Sequence, residues 1–333
     1  MDPLTQGAVG AVLPQAISNH AYVRRAAFFG FCAGILADLD IIFSSSHDPL
    51  FFLEFHRQFT HSLIFIPFGG GLCAIILYSL LGQKWHLNFS QTYFFCTVGY
   101  STHCLLDACT SYGTQLLWPF SNMRVSWDII AIIDPLITFP LITGVLITTL
   151  TKKPIFARIT FGWSILYLLI GLYQRDQAIT FASDLAFNRG HNALRIEAKP
   201  SFANLIVWKT IYETENQFYI DAIRLLGSPK LFKGKSIAKL NVSEQFPWLD
   251  PDSQQARDVE RFRWFSDNYI AQNPKFKNQI IDVRYSMLPN DINPLWFIVL
   301  KPDSDKNMHA EYRVNRSNTQ KNAIKLWSMI INK

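Results

Sequence analysis

Between residues 26 and 173 the chain carries five apolar runs of nearly membrane-spanning length: "AAFFGFCAGILADLDIIF" (26–43), "SLIFIPFGGGLCAIILYSLL" (62–81), "QTYFFCTVGYSTHCLLDAC" (91–109), "IIAIIDPLITFPLITGVLITTL" (129–150) and "FARITFGWSILYLLIGLY" (156–173). A helix needs about 20 mostly apolar residues to cross the hydrocarbon core. In lipid it must also satisfy its own backbone hydrogen bonds, which makes the helix the natural form of such a run. Five runs in succession predict a multi-helix membrane domain over residues 1–175, with about five spans and the bilayer as its partner. The N-terminal "MDPLTQGAVGAVLPQ" lacks the basic start and apolar centre of a cleavable signal peptide, so insertion is expected to rest on the internal segments.

After Tyr173 the pattern changes, and residues 176–333 read as a small α+β soluble domain. "ANLIVWKTIYETENQFYIDAIRL" (203–225) places two β-rich runs around a polar turn, which predicts a hairpin. "SQQARDVERFRWFSDNYIAQ" (253–272) sets Val259, Phe262, Phe265 and Tyr269 near one helical face. Further strands are expected in "QIIDVRYSML", "PLWFIVLK" and "HAEYRVN", with a last helix in "TQKNAIKLWSMII". Residues 1–175 hold nine Lys and Arg against eight Asp and Glu, which leaves 22 against 17 for the remainder. That mild excess is dispersed, without a basic block or an aromatic-basic stripe, and nucleic acid is not expected as a partner. All five cysteines fall in the apolar half without a CxxC pair and read as small buried hydrophobes.

Numbering the five runs as alternating spans from a cytoplasmic N-terminus puts Arg24, Arg25, Lys84, Lys152, Lys153 and Arg158 on the cytoplasmic side. The opposite loops hold Arg57 and Arg124. This is the bias expected of an inner-membrane protein, and it sends the C-terminal domain out of the cytoplasm.

The same numbering gathers the polar interruptions on one side. Asp38 and Asp40 close the first run, "EFHRQFTHS" (Glu54, His56, Arg57, Thr60, His61) leads into the second, and His103 and Asp107 lie near the end of the third. Arg124, Asp128 and Asp134 surround the entry to the fourth. Each has a plainer reading: Asp38 and Asp40 as caps, Asp134 as a helix start before Pro135, Arg57 and Arg124 as headgroup anchors, His56 as an interfacial residue. His103 and Asp107 resist such readings, because ionisable groups inside an apolar run are costly. Four residues apart on a helix, they share one face and can reach one ion. Imidazole with carboxylate suits zinc first, then manganese or iron, and the set has enough donors for one ion or two. His191 and His309 read as surface residues of the soluble domain. "GGG" at 69–71 lies within an apolar run, where it suits close helix packing better than phosphate binding.

"MDPLTQGAVGA", "GILADLD", "HRQFTHS", "HCLLDACTSYGTQLLWPFS" and "IIDPL" together resemble the YdjM-like family of predicted membrane-bound metal-dependent hydrolases of bacteria. The resemblance covers residues 1 to about 175, and "DVRYSMLPNDINPLWFI" (282–298) is similar to the C-terminal region of longer members. It puts Asp38, Asp40, His56, Arg57, Thr60, His61, His103 and Asp107 at the family's polar positions. The family's early motif often carries Thr-His where this chain has Thr5-Gln6. The resulting expectation is a divalent metal held by Asp38, His61, His103 and Asp107, with Asp40 and His56 completing the site or holding a second ion. Glu54 would act as general base, and Arg57 and Arg124 would bind an anionic substrate or stabilise developing charge. The position at the extracytoplasmic membrane surface suggests a lipid-linked or phospholipid-like ester. The alternative is a non-catalytic membrane protein with a structural or metal-sensing polar cluster. A transporter, which would place charges near the midplane between broken helices, fits less well.

Overall fold

The structure, a computed structural model, describes residues 1–331. It divides into two units. Met1–Phe43, Phe55–Tyr173 and Phe202–Asn204 form the first; Ser44–Glu54, Gln174–Ser201 and Leu205–Lys333 form the second.

The first unit is helical. α1 (Pro3–Ile17), α2 (Val23–Leu36), α4 (Ile66–Leu77) and α5 (Phe89–Ala108) pack together, with α6 (Pro135–Thr151) against α1. The short α3 (Phe51–Phe55) lies between α2 and α4 in sequence, and α7 (Pro154–Asn188) begins in this unit. α1 was not anticipated, since its sequence is small and apolar all round with no face to mark it. It is buried along most of its length, and the reason is glycine. A Cβ on Gly10 would meet the Gly30 carbonyl oxygen at 2.6 Å, and one on Gly34 would meet the Gln6 carbonyl oxygen at 2.7 Å. A Cβ on Gly99 would meet the Gly30 carbonyl oxygen at 2.5 Å. Small residues let α1, α2 and α5 approach backbone to backbone, as they do between helices in lipid.

The outside of this unit is apolar. Phe68, Leu72, Ile75 and Leu80 on the second run, Phe139, Leu146 and Leu150 on α6, and Ile159, Leu166 and Leu169 on α7 are all exposed. Exposed apolar area on this scale marks a surface meant for lipid or a partner. Five spans are not confirmed. Among the described residues two helices are long and apolar enough to cross a membrane, Leu63–Gly82 and Pro154–Asn188. The first run breaks at Leu36 into a 3-10 turn, Ala37–Ile42, that carries Asp38 and Asp40. α5 is long enough, but more than half of it is buried against its neighbours and it carries His103 and Asp107. α6, with 17 residues, would rise only about 26 Å against a core of about 30 Å.

The second unit holds two four-stranded antiparallel sheets among the described residues, each a simple meander: β1 (Arg195–Pro200), β2 (Val207–Glu213), β3 (Gln217–Arg224), β4 (Lys230–Ala238); then β5 (Ile270–Gln272), β6 (Gln279–Asp282), β7 (Trp296–Val299), β8 (Glu311–Val314). The anticipated hairpin is β2–β3, and the three later strands are β6, β7 and β8. β1, β4 and β5 were not read from the sequence; β4 alternates weakly and is mostly exposed, as an edge strand tolerates. Ile211, Phe218 and Ile220 of one sheet share a core with Ile281, Phe297 and Val299 of the other. The brief α8 (Val242–Gln245) precedes α9 (Gln254–Phe265), which is capped by Ser253 and buries Val259, Phe262 and Phe265. α10 (Thr319–Ile330) sets Leu326 and Met329 inward.

Lys199 and Lys209 face each other across β1 and β2, and both are buried. Lys209 Nζ donates to Ser286 Oγ at 2.8 Å and to the Asp291 carbonyl at 3.3 Å. Burial pushes its pKa down from the ordinary 10.5 to about 7.

Two outcomes follow from this packing. Gly99→Val should overpack the α2–α5 contact, costing about 1–3 kcal/mol, and lower the thermal midpoint of the detergent-solubilised protein. The depressed lysine means the unfolded chain binds more protons than the folded one between about pH 7 and 10.5. Stability therefore rises with pH across that window. Wild type should gain on Lys209→Met as pH is raised through it, measured by denaturant unfolding of the second unit's tryptophan fluorescence; parallel curves would refute the burial cost.

Candidate metal centre

The polar residues of the first unit converge through the packing just described. Gly30, Gly34 and Gly99 bring α2 and α5 together, and the Gly34 carbonyl thereby reaches His103 Nδ1 at 2.5 Å. A carbonyl only accepts, so Nδ1 carries a proton, and in the neutral ring His103 Nε2 is a lone pair. His61 is oriented in the same way. Its Nδ1 lies 2.9 Å from Thr60 Oγ1, whose own hydrogen goes to Asp40 Oδ2 at 3.0 Å. The hydroxyl must then accept from His61 Nδ1–H, leaving His61 Nε2 a lone pair as well.

These two lone pairs face each other at 3.0 Å. Asp38 Oδ1 lies 3.5 Å from His61 Nε2 and 3.4 Å from His103 Nε2. Asp107 Oδ2 lies 3.3 and 3.6 Å from the same two atoms. His61, His103 and Asp107 are fully buried. With both rings neutral, these four electron-rich atoms repel unless a cation sits among them, either a metal ion or a proton on one Nε2. A tetrahedral ion with bonds of about 2.0–2.2 Å would hold its ligands about 3.3–3.6 Å apart, close to the separations found. Each imidazole also gives its second nitrogen to an oxygen acceptor, as metal-bound histidines do. The donor set fits a divalent metal.

Asp107 is oriented from both sides. Its Oδ1 accepts from Gln6 Nε2 at 2.8 Å and contacts the Met1 nitrogen. Its Oδ2 faces the imidazoles, with Arg57 Nε at 2.9 Å but not aligned for a hydrogen bond. Arg57 is itself buried, with a left-handed φ of 63°. It joins the two halves of the site: its backbone N–H donates to Asp40 Oδ2 at 3.0 Å, its carbonyl accepts from Gln115, and Nη1 donates to Thr110 Oγ1 at 3.1 Å. A non-glycine residue held in that conformation costs about 1–2 kcal/mol and is typical of sites whose surroundings over-determine it.

The remaining expected residues are spread more widely. Asp40 accepts from His56 Nδ1 at 2.8 Å, and with Asp38 they form a second group of three donors. Arg124 donates to the Tyr112 and Gly113 carbonyls, and its guanidinium lies 5.1 Å from the Tyr112 ring centre, with that of Arg57 at 4.8 Å. Glu54 belongs to the second unit, where Arg261 holds both its oxygens at 2.6 and 2.8 Å; its carboxylate is committed to that pair. Asp134 takes its plainer reading, capping α6 through Leu136 N and accepting from Tyr167. His191 and His309 are not bare surface residues: the first bonds to Tyr212 Oη at 2.8 Å and the second to Asp258 at 2.9 Å. The Gly34 carbonyl was missed as part of the site, and Gln6, marked in the sequence only as standing where the family often has His, proves to donate to Asp107.

With this geometry in place the relatives are informative. The description "YdjM inner membrane protein" matches residues 1–178, just over half of the chain. The chain belongs to the YdjM family. Inner membrane protein YbcI of Escherichia coli (strain K12) is 29% identical over 137 residues, covering 39% of this chain and 75% of that protein. The uncharacterized protein YfhP of Bacillus subtilis (strain 168) is 26% identical over 289 residues, covering 83% and 82%. No solved structure matches. The family match ends near the boundary between the two units, whereas the likeness to YfhP runs on into the second. The family and YbcI suggest an inner-membrane location.

The placement of the two arginines separates their roles. Arg57→Gln should remove the guanidinium from beside buried Asp107 and leave it the Met1 ammonium alone, costing up to about 3–5 kcal/mol, and should reduce the yield of folded protein. Arg124→Gln should remain folded. Gel filtration and thermal unfolding of both variants in detergent check this, and a stable Arg57→Gln would argue against the buried pair.

Proposed function

We propose that this protein is a multi-pass inner-membrane hydrolase that uses a divalent metal to attack a lipid-linked or phospholipid-like ester at the extracytoplasmic surface. The observation that carries the reading is the opposed pair of imidazole lone pairs, closed by two carboxylates, inside an apolar bundle. Zinc is the first choice on ligand chemistry, ahead of manganese and iron. A bound metal of this kind brings the pKa of water close to neutrality and so supplies a nucleophile. The chain's part is to hold the ligands in register. Thr60 and the Gly34 carbonyl fix the imidazole tautomers, and Gln6 and Arg57 fix Asp107. Arg124, half-buried near Tyr112, is placed to attract an anionic headgroup.

The rival reading is a non-catalytic polar cluster, and the Arg57–Asp107 pair favours it by already offsetting one carboxylate. On that reading one imidazole is protonated at Nε2 and donates to the other across 3.0 Å. Metal analysis of the purified protein, joined to hydrolysis assays on bacterial lipid extracts, separates the two. The expected result is bound metal, hydrolysis abolished by chelation and restored by the ion, and loss of metal in folded His103→Ala and Asp107→Asn. Wild type without metal would favour the structural cluster.

The extracytoplasmic side is proposed on the numbering of five alternating spans, which sets Lys and Arg six to two across the short loops. A reporter that works only after export, fused after Lys333, should be active. Activity of a cytoplasm-only reporter there would reverse the topology.

A further inference from the structure

Asp38 belongs to two donor groups. With His61, His103 and Asp107 it forms the centre described above; with Asp40 and His56 it forms a second, and within each group the donor atoms lie within 4.8 Å of one another. We propose that the second group binds a second divalent cation, with Asp38 shared between the two, and that the substrate is therefore a phosphate ester. This rests on the metal-hydrolase reading and narrows its substrate.

Charge gives the first reason. Asp38, Asp40 and Asp107 supply three negative charges, and the Arg57 guanidinium and the Met1 ammonium, both on Asp107, supply two positive. One divalent ion would leave that set singly positive, one charge short of a phosphate monoester dianion. Two would leave it triply positive, enough to hold the dianion away from water.

Orientation gives the second. Asp40 is fully buried, and its Oδ2 is fixed by the Arg57 N–H and Thr60 Oγ1, both at 3.0 Å. Oδ1 accepts from His56 Nδ1, 2.8 Å away. Asp40 thereby orients the His56 ring and leaves its Nε2 as the nitrogen for an ion, the carboxylate–histidine arrangement that supports metal ligands. The 3-10 turn at 37–42 is what allows Asp38 and Asp40 to serve neighbouring positions.

Chemistry gives the third. A pair of cations about 3.5–4 Å apart stabilises both the attacking and the leaving oxygen of an in-line displacement at phosphorus. Hydrolysis would form a bond from the water oxygen to phosphorus and break the bond from phosphorus to the ester oxygen. One water proton would end on the released alcohol, and the other would stay with the phosphate or pass to solvent. Arg124 adds positive charge on the side where the Tyr112 ring lies against both guanidiniums.

The test counts ions. Full-length protein in detergent, equilibrated with Mn2+ and freed of excess, should hold two ions per chain by mass spectrometry. Its electron paramagnetic resonance spectrum should show exchange coupling. His56→Ala should hold one ion and give an uncoupled spectrum, and His56→Gln provides the same comparison should the alanine variant not fold. One ion in wild type, unchanged by either His56 substitution, would overturn the second site and leave the single-metal reading standing. No bound ion would remove both. Inorganic phosphate should perturb the wild-type spectrum at millimolar concentration where acetate does not; equal effects of the two anions would overturn the phosphate assignment.

Discussion

The meeting of His61 and His103 across 3.0 Å organises the first unit. Each imidazole has its other nitrogen committed, one through Thr60 to Asp40 and one to the backbone of α2. Neutral rings so held turn both Nε2 atoms inward, and a metal ion or a proton on one Nε2 relieves the contact. The two carboxylates beside them worsen the repulsion and would stabilise a cation strongly. The polar groups around this centre support one another. Gln6 and Arg57 hold Asp107, Arg57 also holds Asp40, and Tyr100 Oη donates to the Thr60 carbonyl at 2.6 Å. Such a network gains from low dielectric when satisfied and loses heavily when one member is missing.

The glycines of α1, α2 and α5 are the mechanical condition for that network. A methyl group at Gly10, Gly34 or Gly99 would push apart the helices that deliver Gln6, the Gly34 carbonyl and His103. Large apolar residues also point outward from α4, α6 and α7, around a buried cluster that includes Phe29, Phe95 and Tyr100. The second unit follows ordinary rules, with two antiparallel meanders sharing one apolar core and an amphipathic α9. Its own ion network, Arg261 with Asp48, Glu54 and Asp258, ties segment 44–54 to α9.

That segment shows where local reading stops. Glu54 stands two residues before His56 and looked like part of the same motif, yet it belongs to a different unit. Sequence distance cannot say that the chain leaves one unit at Ser44 and returns at Phe55. Arg57 shows the same limit: its charge suggested substrate, and only burial beside Asp107 reveals a buried pairing role.

Hydropathy and period are local properties of the chain, so they were enough to divide it into an apolar helical part and a β-rich part. They also marked which residues are chemically unusual, since a histidine and an aspartate four apart in an apolar run stand out without any coordinates. The rest depended on how the helices meet. α1 has no amphipathic face, so only the close approach of Gly10 to Gly30 shows that it is a central helix. Of the five apolar runs, two are long and apolar enough to span among the described residues: the first breaks at Leu36, α5 carries buried polar groups and α6 is short. Which nitrogen of His61 and His103 faces the centre depends on acceptors far away in sequence, and no pattern along the chain records them.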